Sequence, residues 1–147
     1  MSAPAWSEYL RLLVSLSGTM EELTVIERRK TEAAGRGDLL GVEDCMKQEQ
    51  ALSLSLRSLD RKREDLLARL GLSGMPLSRL TEQAPAEYEL ETKGAVEELQ
   101  RQYTLFQAAS EVARSTLECN LRAIEKLQVA QQTDTVAGPP HQADFRV

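Results

Sequence analysis

One long series of positions restricts this fold more than anything else in the chain. Val96, Leu99, Tyr103, Phe106, Ser110, Ala113, Leu117, Asn120, Ile124 and Leu127 follow one another at steps of three and four, mostly apolar and without a slip. An α-helix turns once in 3.6 residues, so such spacing lays a single stripe along one face, whereas a strand requires alternation at every second residue. The stripe predicts one helix over residues 86–131, about 65 Å long at 1.5 Å per residue. A helix with one apolar face draws its stability from packing that face against another element, and 4% aromatics against 28% charged residues is a balance typical of helical bundles and coiled coils.

Residues 5–34 carry Leu10, Leu13, Val14, Met20, Leu23 and Ile26 at helical spacing. They end at Gly35-Arg36-Gly37, where glycine permits the left-handed turn that closes a helix, and Asp38 is placed to cap the next. So short a connection makes the two helices antiparallel neighbours. In the second segment, 38–70, the stretch "LSLSL" at Leu52 to Leu56 alternates like a strand. Heptads counted from Val42 nevertheless place Val42, Glu49, Leu56, Arg63 and Leu70 at one seam position and Cys45, Leu52, Leu59 and Leu66 at the other. Leu54 falls off the seam, and Leu59 is expected opposite Leu13. Polar Glu49 and Arg63 on that seam cost stability but fix register or leave the helix only partly covered. Gly71 ends the helix, and Gly74, Pro76 and Pro85 make 71–85 a connector with room for about two helical turns at "LSRLTEQ". The last residues, 132–147, have no periodicity and include Pro139-Pro140, which predicts a flexible tail with Phe145 and Val147 as a short docking point. The expected fold class is all-α: an elongated antiparallel helical hairpin with a long third helix, a three-helix coiled-coil-like bundle. Residues 1–131 form its single domain and 132–147 its disordered C-terminal tail.

Chemistry is conspicuously thin. Among the 147 residues the only histidine, His141, lies in the expected tail, so no general base is available inside the bundle. No Glu-x-x-His pair of the di-metal bundles occurs, and no glycine-rich phosphate loop follows a strand. The reading is therefore not an enzyme, with no cofactor and no metal. A formal charge of −5 and the acidic neighbours of Arg61, Lys62 and Arg63 argue against a nucleic-acid face. No apolar run is long enough to cross a bilayer, and the first residues lack a signal-peptide pattern, so a cytoplasmic protein is expected. Cys45 and Cys119 are expected as reduced thiols packed as small hydrophobes. Folding the second and third helical segments back about residue 78 sets Cys45 level with Glu111, roughly 12 Å along the axis from Cys119. Trp6 is expected to pack near Leu66.

A seam longer than its own hairpin needs a further helix, from a second copy or from another protein. The run "GDLLGVEDCMKQEQALSLSLRSLDRKREDLLARLGL", residues 37–72, resembles the central segment of the FlgN family of flagellar export chaperones. The resemblance rests on Gly37-Asp38, Gln48 through Leu52, Arg63 and Leu70-Gly71-Leu72, with Leu13, Leu16, Leu23 and Glu27 before it and "MPLSRL" after it, and extends over about residues 7–130. It implies a cytoplasmic type III export chaperone that binds the terminal helical or disordered segment of hook-filament junction proteins, prevents their premature assembly and aids their delivery, with export-apparatus components as further partners. In that family the substrate lies against the C-terminal helical region, which corresponds here to 103–131. The expected contact set is Tyr103, Phe106, Ala113, Leu117, Ile124 and Leu127. A self-associating coiled-coil scaffold, with the same stripe buried in a homodimer, and another small helical secretion chaperone stay open as alternatives.

Overall fold

The computed structural model describes residues 3–132, and they are all-α. Three long helices dominate: α1 (Ala3–Gly35), α2 (Leu39–Arg69) and α3 (Glu89–Gln132). No strand occurs among the described residues, and "LSLSL" is helical throughout. The segment 133–147 lies outside the described residues, so the expectations placed on the tail do too.

The hairpin turn is built by backbone geometry. Gly37 adopts φ 70°, and the Asp38 and Gly37 amides donate to the carbonyls of Ala33 and Ala34 at 2.9 and 3.1 Å. This pair of bonds is the Schellman closure, which a residue with a Cβ would strain at Gly37. Asp38 then caps α2 by accepting from the Gly41 amide at 3.0 Å. α2 ends the same way: Leu72 and Gly71 donate to Leu67 and Ala68 at 2.8 and 3.1 Å. Pro76 and Pro85 then hold extended backbone on either side of a 3₁₀ stretch over Leu77–Gln83, which sends Leu80 fully into the core.

α3 returns parallel to α1. Trp6 Nε1 donates to Thr92 Oγ1 at 2.9 Å near one end, and Asn120 Nδ2 donates to the Ala34 carbonyl near the other. Both pairs are 86 residues apart in sequence, so the two helices keep one register over the length between them. α1 is the central helix: α2 and α3 both pack along it, and among the described residues their own backbones stay further apart than either does from α1.

The apolar core falls into two clusters. The larger, at the connector end, joins Trp6, Tyr9, Leu13 and Leu16 of α1 to Leu66 and Leu67 of α2, Leu80 of the connector and Val96 of α3. Trp6 and Leu66 thus share one core, and Leu59 packs against it while Leu54 is 65% exposed. The smaller cluster, Ala33, Ala34, Val42 and Leu117, sits at the hairpin turn. Between the two, buried polar residues, among them Ser17, Thr24, Glu27, Lys30 and Glu49, are interspersed with buried Met20, Leu23 and Ile26. Two side chains depart from the expected stripes. Val14 is exposed, because the seam of α1 runs through Leu13 and Leu16 instead. On α3 Gln102 is buried and Tyr103 is 51% exposed, since the single face toward α1 is narrower than a stripe shared by two neighbours.

Candidate helix-docking groove

Because the α2 and α3 backbones stay apart on either side of α1, a groove opens between them. Its floor is Leu16 and Met20 of α1, one wall is Leu56 and Arg57 of α2, and the other is Leu99 and Tyr103 of α3. Met75, Pro76 and Leu77 close it at the connector end, and the space within the trough is about 590 Å³. The lining is predominantly apolar and open on one side, with room for several side chains of a docked segment rather than for an entire helix.

The polar groups are concentrated on the α2 wall. Arg63 Nε donates to Asp60 Oδ1 at 2.9 Å, and its guanidinium also approaches the Tyr9 hydroxyl. Burial pushes the Tyr9 hydroxyl pKa above its ordinary value, and Arg63 only partly offsets the shift. The phenol therefore stays neutral in the core. Arg57 stands exposed beside this pair, so the α2 wall carries two guanidiniums against one carboxylate. Gln100 and Thr104 complete the α3 rim. Among the described residues no group of His, Cys, Asp or Glu could hold a metal ion.

The residues expected to contact substrate are divided by the fold. Tyr103 lines the groove, and Phe106, half-buried, lies one turn further along α3. Ala113 is fully buried, and Leu117 packs into the small cluster with Ala33, Ala34 and Val42, so the bundle itself covers both. Ile124 and Leu127 lie in the last turns of α3, their side chains outside the described residues. The overhang also differs from expectation. The compact connector starts α3 level with Trp6, so α1 accompanies α3 as far as Asn120, and only about 122–132 extends past the hairpin turn. Asn120 itself ties α3 to the last turn of α1. Both cysteines are free thiols; Cys45 is buried as expected, but Cys119, expected to pack as a small hydrophobe, is exposed, because it lies off the α3 face that Ala113 and Leu117 turn inward.

Sequence reasoning missed Leu16, Met20, Met75 and Leu77, because a stripe read helix by helix says which residues face inward but not which pair of helices fails to meet. The one legible signal was the apolar "MPL" at Met75 to Leu77 inside a connector, where polar turn residues are usual. No helix among the described residues is long and apolar enough to cross a membrane. Comparisons with protein-family models, with curated proteins and with solved structures find no match.

Proposed function

We propose that the chain is an export chaperone that holds an amphipathic terminal segment of another protein in the groove between α2 and α3. The observation that carries this reading is the groove itself, an apolar trough on α1 walled by Leu56, Leu99 and Tyr103. A helix laid along it would place anchors at i, i+3 and i+4 on Leu16, Met20 and Leu99 while its polar face stays in water. The excess of guanidinium on the α2 wall favours an occupant with carboxylates beside its anchors. The resemblance of 37–72 to FlgN chaperones supplies the finer identity: the occupant would be the terminal region of a hook-filament junction protein, held in the cytoplasm before export. Ordering a segment that is disordered when free consumes part of the interaction energy, so binding should be moderate and reversible.

The test compares three surface variants in titrations against a synthetic terminal segment of a junction protein. Tyr103→Glu places a charge where the complex would desolvate it, and Thr104→Trp fills the trough; both side chains are exposed in the free chain, so the bundle should still fold. Each should weaken binding tenfold or more, whereas Val129→Glu, on the overhang, should leave it unchanged. Loss confined to Val129→Glu would move the site to the end of α3. No binding by the unaltered chain would end the chaperone reading.

A further inference from the structure

Midway along the hairpin, α1 turns Glu27 and Lys30 toward α2, and α2 answers with Glu49; the three are 0%, 3% and 8% exposed. Lys30 Nζ lies 3.2 Å from Glu27 Oε2 and also pairs with Glu49 Oε1. Neither of those two carboxylate oxygens completes an aligned hydrogen bond. One ammonium therefore serves two buried carboxylates, and with all three ionised the layer keeps an uncompensated negative charge. An unneutralised buried charge is costly, and taking up a proton is the usual relief.

Among the described residues Lys30 is the one buried cation, and its neighbour Arg29 is exposed. By the shared register with α1, Ala113 of α3 stands level with Glu27, with Ser110 and Leu117 on either side; all three are buried and none can ionise, while Glu111 and Arg114 are exposed. On α2 the remaining group facing the layer is Cys45, one turn from Glu49. Burial, with Asp44 and Glu49 adding, pushes that thiol above its ordinary pKa against the weaker pull of Lys30 and Arg29, so it stays protonated.

We propose that Glu27, Lys30 and Glu49 form a proton-binding layer, in which uptake of one proton by the carboxylate pair tightens the α1–α2 seam and its release loosens it. The proton comes from solvent and bonds to one carboxylate oxygen, most readily on Glu27, the more deeply buried. The layer then holds one ammonium, one carboxylate and one carboxylic acid, and is neutral. No other bond is made or broken. Burial is the largest cause raising the Glu27 pKa, the Glu49 charge adds to it and Lys30 opposes it, which leaves Glu27 at about 7 against an ordinary 4.5. The folded chain thus holds a proton that the unfolded chain releases. The stabilisation is fully present below the ordinary value and is lost as pH rises through about 7. An ordinary ion-paired carboxylate has the opposite sign.

The experiment is a carbon-13 titration of the full chain labelled at its glutamate carboxyls, with thermal melting of the native chain, Glu27→Gln and Glu49→Gln between about pH 5 and pH 8. One carboxyl should titrate near neutrality, vanish in Glu27→Gln and move to lower pH in Glu49→Gln. Glu27→Gln should melt above the native chain at pH 8 and lose that advantage at pH 5. His141, the only histidine, is common to native chain and variant, so its own titration cancels in the comparison. The proposal is overturned if every glutamate in the native chain titrates in the ordinary acidic range, a result that does not depend on any variant folding. It is equally overturned if the melting difference between Glu27→Gln and the native chain is constant with pH.

Discussion

Two buried polar arrangements set the register of this bundle residue by residue. The Trp6 indole donates to Thr92 with both side chains fully buried, so the bond fixes where α3 begins relative to α1. Thr92→Val keeps the shape but leaves the indole N–H without an acceptor, and an orphaned buried donor costs about 1–3 kcal/mol. Thr92→Ser restores the acceptor and should recover most of that stability; equal losses in chemical denaturation would mean the methyl group matters and the hydrogen bond does not. Lys30 is the second case. Lys30→Met removes the one cation from between Glu27 and Glu49, and breaking a buried ionic cluster on one side typically costs about 3–5 kcal/mol. The loss should be larger at pH 8 than at pH 5, because at the lower pH Glu27 is protonated and only one charge is stranded. Denaturant midpoints of the variant at the two pH values check both the size and the sign.

At the level of whole elements, a heptad phase should rank substitutions on α2 by burial. Leu66 is buried, Leu59 half-buried and Leu54 65% exposed. Leu66→Ala should approach the upper part of the range of about 2–5 kcal/mol for leucine truncation, Leu59→Ala the lower end, and Leu54→Ala almost nothing. An unfolding series in any other order would contradict the seam. The same phase explains what was legible beforehand. Glycine and proline punctuation marked where each helix stops, because a positive φ at Gly37 and Gly71 and extended backbone at Pro76 and Pro85 are local chemistry. The ionic layer was legible only in part: continuing the steps of three and four from Leu13 through Leu16, Met20 and Leu23 arrives at Glu27 and Lys30, and Glu49 occupies a seam position of α2. A search for apolar residues alone passes over them and picks up Val14 instead. Which helices would meet could not be read at all, since a stripe on α3 looks the same whether it faces α1 alone or both neighbours. That choice buries Ala113 and Leu117 and leaves Tyr103 half in solvent.

The whole molecule poses one remaining question, whether the end of α3 exists to bind a second copy. Residues 33 and 34 of α1 pack with Val42 and Leu117, and beyond Asn120 α1 has ended, so the overhang has no α1 beside it. A stable association between proteins buries about 800 Å² on each side, and one face of so short a helical stretch offers roughly half of that. The overhang is thus a poor candidate for a dimer interface by itself, although Val129 is exposed on it. A chain shortened after residue 121 should then keep the melting midpoint of the full chain within about 2 °C, since α1 no longer accompanies α3 beyond Asn120. Its midpoint, like that of the full chain, should not change with protein concentration. If the overhang instead joins two copies, the full chain's midpoint rises with concentration, the shortened chain melts lower, and sedimentation separates the two by mass. The groove reading makes a further demand on the same pair of proteins. Both retain Leu16, Met20, Leu56, Leu99 and Tyr103, so both should capture a docking segment with the same affinity, and unequal binding would place the site on residues 122–147 instead.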